Sequence, residues 1–439
     1  MRKDWAVCDF GEIINFKNGF AFKSSDYISN GIPIIRIGDI NQNKISIEDS
    51  KNVKESSDLD EYLIKKGDIL IAMSGATTGK FGMYNLDSKA YLNQRVGNIF
   101  PISSDLVYKP YLFFLLHFLK RQIEKDAYGG AQPNISSKKI EEMKVPFIPL
   151  PEQRAIVKKI EALFSSLDAG IADLKKAQDQ LKIYRQAVLK KAFEGISEVK
   201  KVSDIASVET GATPKRGNKL YWENGTIPWI TSGALNEEFV NNFNELITLT
   251  AIKETNCKVI SKGALLIAMY GEGKTRGKCS ELKIDAATNQ AVAAIVVKDE
   301  FTYCKPFVKW FFIKNYNDIR LLSSGGVQPN LNLSIIKNTV IPYPSKEEQA
   351  QIVKEIEARL SVCDAIEQQI KDSLTQAEAL RQSILKKAFE GKLLTEEEIT
   401  SCKQEPDYEP ASVLLDKIKA EKEANKPAKK KTTKKKTTE

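Results

Sequence analysis

Histidine is almost missing from this chain, with one residue, His117, in 439. A metal site built on several imidazoles is therefore excluded. His117 sits in "YLFFLLHFLKRQIE", a strongly apolar helical stretch, where the expectation is a buried, hydrogen-bonded side chain. The six cysteines form no C-x-x-C pair, which argues against a disulfide framework or a thiolate zinc site and reads as reduced, structural thiols. There is no G-x-S-x-G nucleophile elbow. No stretch approaches the roughly 18–20 apolar residues of a membrane helix. The start, "MRKDWAVCDFGEI", has no apolar h-region and no small-residue cleavage site, so the expectation is a cytoplasmic protein with no membrane association.

What is present is ordinary in bulk: 42% hydrophobic and 28% charged residues, in a chain long enough for two or three domains. The net charge of +9 suggests a polyanionic partner, but its placement weakens that inference. Residues 426–439, "KPAKKKTTKKKTTE", carry seven Lys and one Glu, which is +6 of the total and leaves only +3 for the rest. This tail reads as disordered, either adding salt-dependent nonspecific DNA affinity or merely solubilising the chain.

Self-similarity organises the rest. "GGAQPN" (129–134) returns as "GGVQPN" (325–330), "EQRAIVKKIEA" (152–162) as "EQAQIVKEIEA" (348–358), and "YRQAVLKKAFEG" (184–195) as "LRQSILKKAFEG" (380–391), all at an offset of 196. Weaker echoes lie upstream, such as "KKGDILIAMSG" (65–75) against "SKGALLIAMYG" (261–271). One unit is written twice, and each copy reads as a strand-rich module followed by a long helix. The predicted fold class is α+β, with one apolar helix per module near 109–125 and 305–321. The expected segments are 1–150, 151–196, 197–345, 346–393 and a terminal segment 394–439.

The long helices open at proline and acidic residues and close at "AFEG", with Gly195 and Gly391 suited to left-handed caps. Ile160, Leu167, Leu174, Leu181 and Val188 recur every seven residues, with Ile156 and Leu163 on the accompanying seam. The second helix repeats this with Ile356, Cys363, Ile370, Ala377 and Ile384, a weaker seam. About 43 residues each, the helices are about 65 Å long at about 1.5 Å per residue. Antiparallel pairing within the chain is expected, since each apolar stripe finds an equal partner there. Such pairing separates the two modules along a rod, so that the rod sets half-site spacing on a duplex.

The order module, "PEQRAIV" helix, module, "EQAQIV" helix, with "KKAFEG" after each and "EPASVLLDKIKAEKE" (409–423) near the end, resembles the specificity subunits of Type I restriction–modification systems. The resemblance spans essentially residues 1–425. It implies two target-recognition domains, each reading half of a bipartite double-stranded DNA site, with the helices as spacer and docking platform. It also implies partners: modification subunits, two of them, holding S-adenosylmethionine and methylating adenine, and restriction subunits using ATP and Mg²⁺. No cofactor is expected in this chain. The chain accordingly has no N-P-P-F or D-P-P-Y adenine-methyltransferase motif and no visible paired Asp and Glu-x-Lys nuclease core.

Modules that read different half-sites must differ where they read. Gln132, Asn134, Gln328 and Asn330 belong to the shared "GG-x-QPN", which either sets a turn or contacts backbone phosphate. The divergent loops are better candidates: Thr77, Thr78 and Lys80 in "SGATTGKFG" (74–82), against Lys274, Arg276 and Lys278 in "YGEGKTRGK" (270–278). Arg36 stands where the second module has Thr231. Lys215, Arg216 and Lys219 lie beside Tyr221 and Trp222 in "GATPKRGNKLYW", opposite "GFAFKSSDY" (19–27) in the first module. Taken singly, each basic residue fits an ordinary solvated turn equally well.

Two alternatives compete. Residues 268–275, "AMYGEGKT", match a loose phosphate-binding loop, but the first copy lacks Gly-Lys-Thr and no helical pattern follows. The match is read as chance. A coiled-coil scaffold without DNA recognition is the other.

Overall fold

The computed structural model describes residues 2–41, 43–128, 133–271, 274–322 and 330–424. They form two compact units: Met1–Ala172 with Ser373–Glu439, and Asp173–Asp372. Gln132, Gln328 and the Lys-rich tail lie outside the described residues.

In the first unit, short apolar runs such as Asp68–Ala72 and Val96–Pro101 become buried central strands. One sheet has the order Ile14–Asn18, Val96–Pro101, Asp68–Ala72, Phe81–Tyr84, Asn43–Ile45, Ile40–Asn41. A second runs Lys51–Val53, Ile32–Ile35, Ala90–Leu92, Leu63–Ile64. The second unit repeats both, without a counterpart of the Ile40–Asn41 edge strand. Its larger sheet is Ala206–Thr210, Val292–Val297, Leu265–Ala268, Cys279–Leu282, Phe239–Val240, and the smaller is Glu245–Ile247, Ile227–Ile230, Ala286–Thr288, Val259–Ile260.

The module helices differ from each other. Lys109–Ala127 is continuous, whereas its counterpart is two pieces, Lys305–Lys314 and Tyr316–Leu321. The expected single helix over 305–321 is thus corrected. Asn315 interrupts it, in place of the first module's buried Leu119. A poor helix former with no apolar side chain replaces a core residue.

The long helices are Leu150–Ala192 and Lys346–Phe389, and Gly195 and Gly391 follow them with φ of 78° and 77°. In the first unit Ile156 and Ile160 share a core with Ile384 and Phe389, while Asp168 further along meets Arg381. In the second, Val188 and Leu189 pack with Ile356 and Leu360, and Arg185 pairs with Asp364 and Glu367. Each unit therefore contains antiparallel halves of both helices. Arg185–Asp364 and Arg381–Asp168 are one ion pair written twice, since both residues shift by the repeat length.

The seam itself departs from expectation. Cys363, Ile370, Ala377 and Ile384 are buried while Leu167, Leu174 and Leu181 are half-buried, so the second seam is the deeper. Leu163 is exposed; the companion position is Phe164, its ring 6.0 Å from Phe114 and capped by the Arg381 guanidinium at 4.9 Å.

The end of each long helix seats an aromatic on a module helix. Phe389 lies 5.7 Å from Tyr111, and its repeat Phe193 lies 5.0 Å from Phe307. Beyond Phe389, helices Glu396–Lys403 and Ala411–Ala424 return to the first module. Leu414, Leu415 and Ile418 are buried in a core with Trp5, Phe10 and Ile13. Val413, beside them in the chain, is exposed. Lys419 pairs with Glu12, and Lys403 with Asp4. Among the described residues no helix is long and apolar enough to cross a membrane.

Candidate nucleic-acid interface

Each module presents a hairpin corner built from the shared strand. In the first, Ala72 accepts from the Gly79 N–H, and the Ala72 N–H donates to Lys80. In the second, Ala268 accepts from Gly277 and donates to Lys278. Lys80 and Lys278 are therefore equivalent, as are Gly79 and Gly277, with φ of 82° and 85°. Measured between these anchors, the second loop is two residues longer, and Arg276 stands opposite Thr78.

In the first module the corner is tied down. Thr78 is buried, its hydroxyl 3.0 Å from the Pro133 carbonyl, and Thr77 donates to the Ile37 carbonyl at 3.0 Å. The Gly75 N–H donates to Pro133, and the Asn134 N–H to Ala127. Thr77, Thr78, Lys80 and Asn134 thus meet at one corner, where Lys80 is exposed. Arg36, one residue before Ile37, is paired with Asp39 at 3.4 Å and donates to the Asp49 carbonyl at 3.0 Å.

The second corner is held from outside. Tyr316 donates its hydroxyl to the Lys274 carbonyl at 2.6 Å, and Arg320 donates to the Arg276 carbonyl at 2.7 Å. Lys278 donates to the Asn236 side chain at 2.9 Å. The Leu331 N–H, next to Asn330, donates to Met269, as Ile135 does to Met73. Tyr316 and Arg320 had no signal in the sequence, because their partners lie more than 40 residues away in the chain.

The second basic loop is less available than its composition suggests. Arg216 is bound to the Glu245 carboxylate and sits over Trp222 and Trp229 at 4.1 and 4.9 Å. Its guanidinium holds the Glu245 carboxyl below the usual carboxylate range. Lys219 pairs with Glu223 at 3.2 Å, and the Lys215 carbonyl accepts from the Trp222 indole.

His117 packs edge-on against Phe81 and Phe113, each 4.8 Å away, with no hydrogen bond to another described residue. The expected hydrogen bond is replaced by ring contacts, and burial drives its pKa down to about 4. All six cysteines are buried and free. The phosphate-loop alternative fails on geometry. Leu265–Ala268 pairs antiparallel with Cys279–Leu282, and none of the described residues between these strands is helical.

Fold and corners together define a class: a duplicated α+β binding protein whose two modules share a scaffold and differ in one set of presented loops. A family model, the Type I restriction modification DNA specificity domain, matches residues 2–176 and again 196–376. The chain belongs to that family. It is 28% identical to the Type I restriction enzyme EcoBI specificity subunit of Escherichia coli, across 97% of this chain and 94% of the relative. It is 25% identical to the EcoKI specificity subunit of Escherichia coli strain K12, across 97% of each. Two solved structures share the fold. One, from work on complex assembly and conformational transition of the type I R-M system, has a TM-score of 0.72 at 18% identity, covering 89% of this chain and 99% of that one. The other, the HsdS subunit from Thermoanaerobacter tengcongensis, has a TM-score of 0.59 at 17% identity, covering 89% and 98%.

Proposed function

We propose that this chain is the non-catalytic DNA-reading subunit of a Type I restriction–modification complex. Each module reads one half of a bipartite duplex site, with the long helices as spacer and as docking platform for two modification subunits. The observation that carries the reading is the pairing of identical backbone anchors with unlike loops: the same Ala–Gly–Lys closure holds "SGATTGK" in one module and "YGEGKTRGK" in the other. A scaffold kept constant while its presented residues change is what reading two different half-sites requires. The partner chains hold S-adenosylmethionine for adenine methylation and ATP with Mg²⁺ for restriction. Lys80, Lys274 and Lys278 serve phosphate contacts, with Arg276 and Thr77 nearest the bases.

Base-resolution methylation sequencing of cells expressing the chain with its modification subunits tests this. The expected result is a split motif methylated at adenine, and replacing residues 1–150 by another family member's module alters one half alone. An assembled complex that leaves no split motif overturns the reading, as does a swap that changes both halves.

A further inference from the structure

After strand Phe239–Val240 the second module runs "NNFNE", residues 241–245. Asparagine in a surface segment usually serves the backbone, by taking a left-handed conformation, capping a helix or closing an Asx turn. None of these applies here. Among the described residues the positive-φ asparagines are Asn43 and Asn224, and Asn218 and Asn332 are the module's capping asparagines. The side chains of Asn241, Asn242 and Asn244 are exposed and make no hydrogen bond to another described residue. Phe243, between them, is 45% exposed.

These residues rim a cavity of about 530 Å³, whose other wall includes Trp229, Thr231 and Asn236. Asn236 is the residue that Lys278 of the hairpin corner grips, so the cavity adjoins the basic loop. The equivalent loop of the first module is built differently. By strand register Arg36 occupies the position of Thr231, and its guanidinium reaches across to the Asp49 carbonyl. The first module's connecting segment, Ser46 to Ser50, is bonded to itself through Ser46 and Ile47 and carries the carboxylates Glu48 and Asp49 where the second module carries amides.

We propose that Asn241, Asn242 and Asn244, with Phe243, form a subsite that reads A·T base pairs in the half-site of the second module. A side-chain amide carries a donor and an acceptor that match adenine N6 and N7 in the major groove, and an exposed phenyl ring matches the thymine methyl. Both chemistries of the segment thus select the same base pair. Carboxylates in the first module accept only and cannot make that bidentate match. The inference rests on the DNA-reading assignment above and adds which residues read and what they read.

The test is methylation sequencing with the full chain and its modification subunits, comparing the intact protein with N241A/N242A/N244A. Discrimination at one or more A·T positions in the second module's half should fall about tenfold or more, each bidentate pair being worth that much. The other half should be unchanged and report correct folding. Unchanged discrimination in both halves overturns the proposal, as does relaxation of both or a half-site without A·T pairs. Absence of any split motif in the intact protein overturns the bipartite assignment itself, and this proposal with it. Should the triple variant fail to assemble, Phe243→Ala gives a second readout. Replacing thymine by uracil in that half should weaken binding of the intact complex and leave the F243A complex unaffected; equal weakening of both overturns the proposal.

Discussion

The two modules solve one packing problem twice and diverge beneath the hairpin. In the first, the helix face under the sheet is aromatic: Phe113 and His117 close on Phe81. In the second, the same positions carry Lys309, Ile313 and Cys279, and Lys309 pairs with Glu238 while lying 4.2 Å from the Phe239 ring. Glu281, near Lys305 and Lys309 at 3.3 and 3.9 Å, completes an ionic cluster. The backbone registers remain equivalent, so a sheet held by its own ladder tolerates opposite chemistry underneath. At the central strands, divergence is carried by side chains and loops that the ladder does not use.

The comparison breaks most severely at the shared aromatic anchors. Phe389→Ala should cost about 3–5 kcal/mol in the first unit and leave the second intact, and Phe193→Ala should do the reverse. Hydrogen exchange resolved by segment measures this, and equal loss of protection in both units from either variant contradicts the two-unit description. Acid should separate the modules next. His117 stays neutral in the fold down to about pH 4 because burial disfavours its charge, whereas in the unfolded chain it protonates near 6.5. The unfolded state therefore binds more protons in that window, and stability of the first unit falls as pH drops from about 6.5 to about 4, by up to about 3 kcal/mol. Burial raises the Glu281 pKa, but the ammonium groups of Lys283 and Lys305 outweigh it and the net shift is downward. Its contribution is present above the ordinary carboxylate range and is lost only below about pH 4.3. Thermal unfolding against pH should show the first unit softening first, and His117→Ile should abolish that difference. The smallest effect sharpens the equivalence of Lys80 and Lys278. Replacing either by Ala should weaken DNA binding of the complex uniformly across sequences. The slope of log affinity against log salt should become shallower by about 0.9 for each phosphate no longer neutralised. A change in the methylated motif from either variant shows that the lysine reads bases.

The repeat and the helix ends were legible because they depend on spacing and local caps. Leu163 was misplaced because strict sevenfold counting from Ile156 follows the wrong companion row; Phe164 keeps the alternation of three and four with Ile160 and Leu167. The helix break at Asn315 had a local sign, a poor helix former where the first copy has Leu119. What could not be read were partners distant in sequence. Arg216 looked like a free cation because Glu245 is 29 residues away, and Arg36 like a reader because the Asp49 carbonyl that holds it has no signature in the chain. At the candidate interface, the basic corner was visible in composition. The amides of residues 241–244 were not, because only backbone angles and bonding partners separate a structural asparagine from one left over for a ligand.

The second unit is one continuous stretch of chain, but the first is closed by the helices that follow Phe389. On a ribosome the module made first is thus the one finished last. Trp5, Phe10 and Ile13 wait about 250 residues beyond Ala172 for Leu414 and Ile418, which at about 5–20 residues per second is roughly 12–50 s. During that interval the early module carries an uncovered apolar face. A nascent chain stalled or cut before Ala411 lacks the side chains that cover it.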